Sequence, residues 1–336
     1  MYFSIIIPVY NRPEEIEELL DSLITQDYNN SFEIVIIEDG SSISCENIIS
    51  NYSDKLTIAY FFKENSGPGD SRNFGIKRAK GDYFIIFDSD CIIPTNYLTE
   101  VELALNSDYI DCFGGTDKAL DSFSNIQKAI NFSMTSFLTT GGIRGGSEKI
   151  DKFQPRSFNM GISKKAFEAS GGFGNIHPGE DPDLSIRLWK LGFNTKLLTK
   201  AYVYHKRRID WSKFYNQVFK FGKARPILNS WYPEFSKPTF FLPTLFIIGL
   251  DLAIIVMFFG LFYPILFYGF YFLLLFFVSS ICNKSVKIGS LSLVAAIIQF
   301  YGYGFGFLIS FILITILKRN PKTEFPELFF KSNKND

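Results

Sequence analysis

Short apolar runs alternate with helical periods along the first two hundred residues. Ser4-Ile5-Ile6-Ile7-Pro8-Val9-Tyr10-Asn11 reads as an apolar strand entering a polar turn. Pro13 suits the first position of a helix. Glu14 and Glu15 fall in its first turn, where the helix dipole favours acids, and Ile16, Leu19, Leu20 and Leu23 make one apolar face. Glu33-Ile34-Val35-Ile36-Ile37 predicts a second strand, closed by Glu38-Asp39-Gly40-Ser41-Ser42. Thr57 to Phe62 predicts a third, leading through a glycine-rich turn into a helix that ends near Lys80. Tyr83-Phe84-Ile85-Ile86-Phe87 is the fourth and ends in Asp88-Ser89-Asp90. Strict alternation of strand and helix argues for an α/β fold with a mostly parallel, Rossmann-like sheet. Ligands in such sheets lie beyond the carboxyl ends of the strands, so Asn11, Asp39 and the Asp88/Asp90 pair should meet in one crevice.

The carboxylate pair carries the first chemical hint. Two acids one residue apart at the end of a buried strand repel each other unless a cation lies between them. A divalent metal, Mn2+ or Mg2+, holding a diphosphate satisfies that need, because hard cations take carboxylate and phosphate oxygens. A polar loop that merely closes the strand is the plainer alternative.

The hydropathy changes near residue 239. Phe240 to Cys282 is almost free of charge and long enough for two spans, with Phe262-Tyr263-Pro264 at the expected hairpin tip. A second apolar block runs from Ile288 to Leu317. Gly302-Tyr303-Gly304-Phe305-Gly306 is expected to interrupt that block, leaving either three spans or two spans with a re-entrant or interfacial segment. His205-Lys206-Arg207-Arg208, Lys213, Lys220, Lys223 and Arg225 precede the first span, which places the N-terminal domain in the cytoplasm of a multi-pass inner-membrane protein. Asp251, inside the first span, is either functional or a polar contact to another helix. The stretch Tyr204 to Arg225 mixes lysines with Trp211, Phe214, Tyr215, Phe219 and Phe221, a composition suited to an anionic membrane surface. The expected organisation is a catalytic domain over 1–210, an amphipathic segment over 211–238, a transmembrane region over 239–317 and a polar tail over 318–336.

Composition removes several function classes. A chain of 336 residues with zero formal net charge gives no electrostatic support to nucleic-acid binding. Cys45, Cys91, Cys112 and Cys282 lack metal-finger or redox spacing and read as reduced, mostly buried thiols; Cys91 beside the acids reads as packing. The chain opens on a core strand, so no cleaved leader is expected. The first turn lacks G-x-G-x-x-G, which speaks against a dinucleotide-dependent oxidoreductase. A channel or transporter is conceivable from the spans alone, but most of the chain lies outside them.

Six ordered segments resemble the family 2 glycosyltransferases, inverting enzymes of the GT-A fold. They are Ile6-Ile7-Pro8-Val9-Tyr10-Asn11, Glu38-Asp39-Gly40-Ser41, Ser71-Arg72-Asn73-Phe74-Gly75, Asp88-Ser89-Asp90, Phe158-Asn159-Met160-Gly161 with Gly171-Gly172-Phe173, and Gly179-Glu180-Asp181. The resemblance covers roughly residues 1–210. It implies that Asp90 binds the metal directly, that Asp88 faces the ribose and the metal's water shell, and that His205 completes the shell unless it is only part of the basic patch. It implies Asp181 as the general base, with Glu180 touching the acceptor or orienting Asp181. Pro8, Tyr10 and Asn11 would shape the nucleotide pocket, Asp39 would accept from the base, and Arg72 would meet the base or a phosphate. Plainer roles stand beside these: Asp39 as a turn aspartate before glycine, Arg72 as a surface charge on a helix.

Local chemistry gives Asp181 a competing role. Pro182 and the apolar spacing of Leu184, Ile186, Leu188 and Leu191 predict a helix with Asp181 as its N-cap and Pro182 at N1, closed by Gly192. The helix N-terminus would then lower the Asp181 pKa. Gly141-Gly142-Ile143-Arg144-Gly145-Gly146-Ser147 lacks a phosphate-loop ending and reads as a mobile loop over the acceptor.

The resemblance and the membrane segment together imply transfer of one hexosyl or N-acetylhexosaminyl unit, from a UDP-sugar first among donors, to a lipid-linked acceptor in cell-surface polysaccharide assembly. The Gln-x-x-Arg-Trp motif of processive members is missing, since Trp231 follows Asn229-Ser230. A polyprenyl-phosphate sugar synthase and an inactive membrane scaffold that binds nucleotide sugar are the alternatives. Intact Asp88, Asp90 and Asp181 weigh against the scaffold.

Overall fold

The computed structural model describes residues 1–141, 152–206 and 210–330. The glycine-rich run from Gly142 to Ser147 and the basic residues Arg207 and Arg208 lie outside that range. The chain divides into two compact units. One takes the described parts of Met1–Lys118, Ser147–His205 and Phe329–Asp336, the other those of Ala119–Gly146 and Lys206–Leu328.

The first unit is a sheet with helices. In chain order it contains β1 (Phe3–Val9), α1 (Pro13–Ile24), β2 (Phe32–Asp39), α2 (Glu46–Ser50), β3 (Ile58–Lys63), α3 (Pro68–Arg78), β4 (Tyr83–Phe87), β5 (Cys91–Ile92), α4 (Tyr97–Ser107) and β6 (Cys112–Lys118). The second unit contributes α5 (Asn125–Thr135) and α6 (Phe137–Thr140) before the sheet resumes with β7 (Asn159–Ser163), α7 (Lys164–Ser170), α8 (Glu180–Lys190) and β8 (Thr195–His205). The strand order is β3-β2-β1-β4-β7-β6-β8-β5. The pairs β1/β2, β1/β4, β2/β3 and β6/β8 are parallel, while β7 is antiparallel to β4 and β6, and β5 to β8.

Both faces of this sheet are buried, which is why its strands read as unbroken apolar runs. Side chains alternate between faces at period two. Ile5, Ile7, Ile34, Ile36 and Ile85 pack with Leu19 and Leu20 of α1 and with Leu98 and Val101 of α4. Ile6, Val35, Ile37, Phe84 and Ile86 pack with Ile76 of α3, Phe167 of α7, and Leu184 and Leu188 of α8. Cys45, Cys91 and Cys112 are buried free thiols, and Cys282 is exposed.

The second unit continues with α9 (Trp211–Trp231), α10 (Leu242–Met257), α11 (Tyr263–Cys282), α12 (Val286–Ser310) and α13 (Pro321–Glu324). A π-helical stretch, Phe311–Ile316, prolongs α12. Residues 119–141 join this unit because the apolar side of α5 finds its partners there: Ile130 and Met134 cluster with Phe214 and Val218 of α9 and with Ala295 of α12. Three stretches, Pro238–Met257, Tyr263–Cys282 and Val286–Ile316, are long and apolar enough to cross a membrane. Asp251 hydrogen-bonds to the Tyr301 hydroxyl, so it is a polar contact between α10 and α12.

The glycines at 302, 304 and 306 do not interrupt the last apolar block, contrary to the expectation from the sequence. They lie inside an unbroken helix and let other helices approach its backbone. A Cβ on Gly306 would lie 2.2 Å from the Phe219 carbonyl oxygen, and one on Gly222 of α9 would lie 2.2 Å from that of Tyr303. Gly304 faces α10, where a Cβ would meet Ile247 at 2.7 Å. Packing of this kind favours small residues because backbone meets backbone.

A comparison of two glycines tests this. Alanine normally stabilises a helix relative to glycine by roughly 0.5–1 kcal/mol. Gly269→Ala in α11, where nothing lies within 4 Å, should leave or raise the melting temperature. Gly222→Ala should lower it, because overpacking costs about 1–3 kcal/mol of stability. Thermal unfolding of both variants in detergent reads the difference.

Candidate active site

Because β1, β2 and β4 run parallel, their carboxyl ends share one edge. The residues that leave those ends are Asn11, Asp39, Asp88 and Asp90. Asn11 adopts φ 53, a left-handed conformation that asparagine tolerates better than most side chains. Its Oδ1 accepts from the Ser42 and Ile43 amides at 2.8 and 3.1 Å, and its own amide donates to Ser41 Oγ at 2.8 Å. Asn11 therefore clasps the turn after β2 to the turn after β1. Asp39 shapes the next loop: it accepts from Lys63 Nζ at 2.6 Å and from the Ser66 and Gly67 amides at 3.0 Å each. Pro8 is part of β1, and Tyr10 is exposed at the mouth of the turn.

Arg72 comes from α3 and is only 3% exposed. One terminal nitrogen donates to Asp88 Oδ1 at 2.8 Å and the other to Glu180 Oε1 at 3.1 Å. It also lies over the Phe173 ring, 5.4 Å from the centroid. Arg72 is thus a buried tie between the end of β4 and the start of α8, not a surface charge. Its pKa is raised despite burial, which alone would lower it, because Asp88 and Glu180 favour the charged form.

Asp90 faces another set of groups. The antiparallel pairing of β5 with β8 sets His205 opposite Cys91, one residue beyond Asp90. His205 Nε2 lies 3.1 Å from Asp90 Oδ1, and Arg12 Nη1 lies 3.2 Å from Asp90 Oδ2. Phe158 stacks on the imidazole with centroids 4.6 Å apart, which fixes its plane. Ligand atoms of Asp90, Cys91 and His205 all lie within 4.8 Å of one another. An oxygen and an imidazole nitrogen at this spacing fit a divalent cation. The Cys91 thiol donates to the Phe158 carbonyl at 3.4 Å, in keeping with a packing role. Asp88 is turned to Arg72.

The expected N-cap at Asp181 is not what the chain adopts. Gly179 caps α8 at φ 132, a conformation open to glycine and strained for other residues, and Glu180 rather than Pro182 takes the first helical position. Glu180 Oε2 accepts the Gly179 amide at 2.9 Å, and His177 Nδ1 lies 2.9 Å from Glu180 Oε1. Asp181 follows it inside the helix, and its Oδ1 is buried with no hydrogen-bond partner among the described residues. The expected fall in its pKa is also reversed. Burial and the neighbouring Glu180 charge push the Asp181 carboxyl up to about 6, against the pull of Arg72, Arg156 and the Ser157 amide. Glu180 moves the other way: burial disfavours its charge, but His177 and Arg72 outweigh it and keep it ionised.

Two models of known families match this chain. "Glycosyl transferase family 2" matches residues 4–171, half of it, and "Glycosyl transferase family group 2" matches residues 157–309. The chain belongs to glycosyl transferase family 2. An uncharacterized glycosyltransferase of Rickettsia typhi is 45% identical over 93 residues, 28% of each chain. TarS of Staphylococcus aureus, a poly(ribitol-phosphate) beta-N-acetylglucosaminyltransferase, is 33% identical over 114 residues, 33% of this chain and 20% of that one. The matched stretch is therefore under a third of either relative. Among solved structures, a mannosyltransferase of Pyrobaculum calidifontis, in complex with GDP-Man and Mn2+, aligns over 95% of this chain and 88% of its own. Its TM-score is 0.58 at 15% identity, a likeness of fold. The mixed sheet of this family member is of the GT-A type, followed by apolar helices.

Sequence reasoning gathered Asp88, Asp90, Arg72, Glu180, Asp181 and His205, and the sheet unit brings them to the same strand ends. It missed Arg12 and His177. Arg12 directly follows a strand-end turn and precedes the helix proline, a position from which a long cation reaches back over the crevice. His177 stands three residues before Glu180, a separation that a tight turn closes.

Loss of the buried tie should be costly, because removing one partner leaves charges without compensation. Arg72→Met is expected to destabilise the fold by about 3–5 kcal/mol. Arg72→Lys should fall between that variant and the wild type, since an ammonium cannot span both carboxylates with a planar fork. Chemical unfolding of the detergent-solubilised chain measures both.

Proposed function

We propose that this family member transfers one sugar, with inversion, from a nucleotide-diphosphate sugar to a lipid-linked saccharide acceptor in cell-surface polysaccharide assembly. The observation that carries the reading is Asp181: a carboxyl pushed up to about 6, with a buried oxygen that no described group satisfies, beside a cation-tied acid at the strand ends. A base with such a pKa is ionised at neutral pH and accepts a proton readily. The acceptor hydroxyl oxygen bonds to the anomeric carbon, its proton passes to Asp181, and the nucleoside diphosphate departs from the opposite face. Glu180, held by Arg72, His177 and the Gly179 amide, fixes the turn that aims Asp181.

Asp90 and His205 are the residues that would hold a divalent cation, Mn2+ or Mg2+, whose charge offsets that of the departing diphosphate. Arg12, 3.2 Å from Asp90, adds a fixed positive charge on the same side. The mannosyltransferase of similar fold, in complex with GDP-Man and Mn2+, supports this assignment. The name of TarS, a relative over part of the chain, supports an N-acetylhexosaminyl donor and hence a UDP-sugar. The apolar helices and the lysines of α9 support a lipid-linked acceptor reached from the cytoplasmic side.

Asp181→Asn should cut turnover by about 10²–10⁴-fold, the usual worth of a general base. It should leave nucleotide binding intact. The raised pKa means that the fold binds this proton more tightly than the unfolded chain does. Asp181 thus favours folding below its unfolded pKa, and the benefit is lost as pH rises through about 6. At neutral pH the asparagine variant should therefore melt at the same temperature or higher. In the wild type, nucleoside diphosphate release at saturating donor should fall roughly tenfold per pH unit below about 6, as the base takes up its proton.

Calorimetry of UDP, GDP and TDP with Mn2+ and with EDTA, beside Asp90→Ala, separates the donor from the cation. One nucleotide should bind only with the metal, and the variant should lose that binding. Binding indifferent to both would remove the cation from the reading.

A further inference from the structure

We infer that only the α10–α11 hairpin enters the bilayer core, and that α12, despite an apolar length sufficient to cross, lies in the membrane interface with one face on lipid. The inference concerns how the chain meets the bilayer and goes beyond the sugar-transfer reading.

The first reason is connectivity. The chain leaves the sheet unit after His205 and rejoins it at Phe329. Phe329 bridges Ile176 in antiparallel fashion, and the Phe330 amide donates to the Asn175 carbonyl at 3.1 Å. The Phe330 ring packs on Gly67, where a Cβ would lie 2.3 Å from it, and sits 5.9 Å from the His177 ring. A chain that departs from and returns to one folded unit crosses a bilayer an even number of times. Three apolar helices cannot all cross. Residues 318–328 cannot supply a fourth crossing: they include Lys318, Arg319, Lys322, Glu324 and Glu327, and span at most roughly 40 Å when fully extended.

The second reason identifies α12 as the exception. Its middle is covered by polar helices. Gly302 faces Tyr215 and Val218 of α9, and Gly306 faces Phe219 and Lys223. Ser133 of α5 donates to Gln299 at 3.0 Å. α9 carries Lys213, Lys220, Lys223 and Arg225, and begins at Trp211, six positions after His205. If α12 crossed from Val286, Gly302 would lie about 24 Å along it, near the far leaflet. The four cations of α9 would then be carried through the hydrocarbon, at roughly 2.5–3.5 kcal/mol each by insertion scales.

The third reason is where α12 touches the hairpin. Its contacts run across the hairpin from the base to mid-height and stop short of the tip: Thr244 donates to the Gly304 carbonyl, Phe246 stacks on Phe300, Ser279 meets Ser292, and the Tyr301 hydroxyl reaches Asp251. At the other end of the hairpin, Phe259 and Tyr263 are 84% and 81% exposed. Finally, Val294, Ile297, Phe305 and Ile309 are exposed and at 3.6 residues per turn form one stripe, and Ile312 and Ile316 of the π-helical stretch are exposed after it. A helix with polar helices on one side and a single apolar stripe on the other is built to lie in an interface, its apolar face dipped roughly 5–10 Å into the lipid.

Variants of the full chain with one introduced cysteine, in a Cys282→Ser background where Cys45, Cys91 and Cys112 are buried, test this without reference to activity. Lys55→Cys and Lys322→Cys, in cell-derived vesicles of both orientations, should react with a membrane-impermeant maleimide from the same side and to within about twofold. Labelling from opposite sides overturns the inference. Spin labels at Val294→Cys, Phe305→Cys and Ile312→Cys, in phosphatidylethanolamine–phosphatidylglycerol vesicles, should report one shallow depth. A spread approaching the roughly 27 Å that separates residues 294 and 312 along a helix would mean that α12 crosses, and would overturn it as well.

Discussion

A single buried cation sets the electrostatics of the site. Arg72 projects from α3 between three acids: Asp88 at the end of β4, and Glu180 and Asp181 at the start of α8. Its two terminal nitrogens donate one to Glu180 and one to Asp88, and its buried Nε has no hydrogen-bond partner among the described residues. Asp181 feels the same charge only at a distance. It also feels its neighbour Glu180, which Arg72 and His177 keep ionised. The hydrogen bonds of Arg72 thus go to Asp88 and Glu180, while Asp181 keeps a buried oxygen that no described group satisfies. Its raised pKa comes first from burial and second from the ionised Glu180 beside it.

The same need for counter-charge separates the two acids that follow β4. Asp88 and Asp90 are one residue apart and would repel each other if they shared surroundings. The turn after β4 sends them in different directions, Asp88 to Arg72 and Asp90 to Arg12 and His205. Each acid acquires its own counter-charge before any ligand arrives. The strand pairing that brings β8 back beside β5 is what delivers His205, more than a hundred residues away in sequence, to Asp90.

The strands and helices of the sheet unit were legible because burial on both faces writes itself as unbroken apolar runs. Tyr83–Phe87 is the clearest case, with all five residues buried. The strand ends were legible for the same reason, and with them Asn11, Asp39, Asp88 and Asp90. What was not legible was the role each side chain takes once other segments arrive. Asp39 and Asn11 are absorbed by backbone amides of neighbouring loops, which no local pattern announces. Capping rules placed Asp181 at the head of its helix, because Asp-Pro is a strong start signal. Gly179 won instead, since its positive φ turns the chain so that Glu180 can reach both its amide and Arg72. The glycines of α12 misled for a related reason. Glycine is a helix breaker when alone in water, and a packing surface when another helix lies against it.

Adjacent residues of one chemical type usually share a fate, yet Glu180 and Asp181 do not. On a helix, consecutive side chains point about 100° apart, so neighbours in sequence meet different surroundings. The extra methylene of glutamate lets Glu180 curl back to the Gly179 amide while still meeting Arg72 and His177. A shorter aspartate at 180 would have to give up one of those partners, and a longer glutamate at 181 would swing its oxygens away from the position that burial and the Glu180 charge now define. The order of the two acids is thus part of the design: one is committed to holding the turn, and the other is left short of partners, with a proton affinity close to that of its working solution.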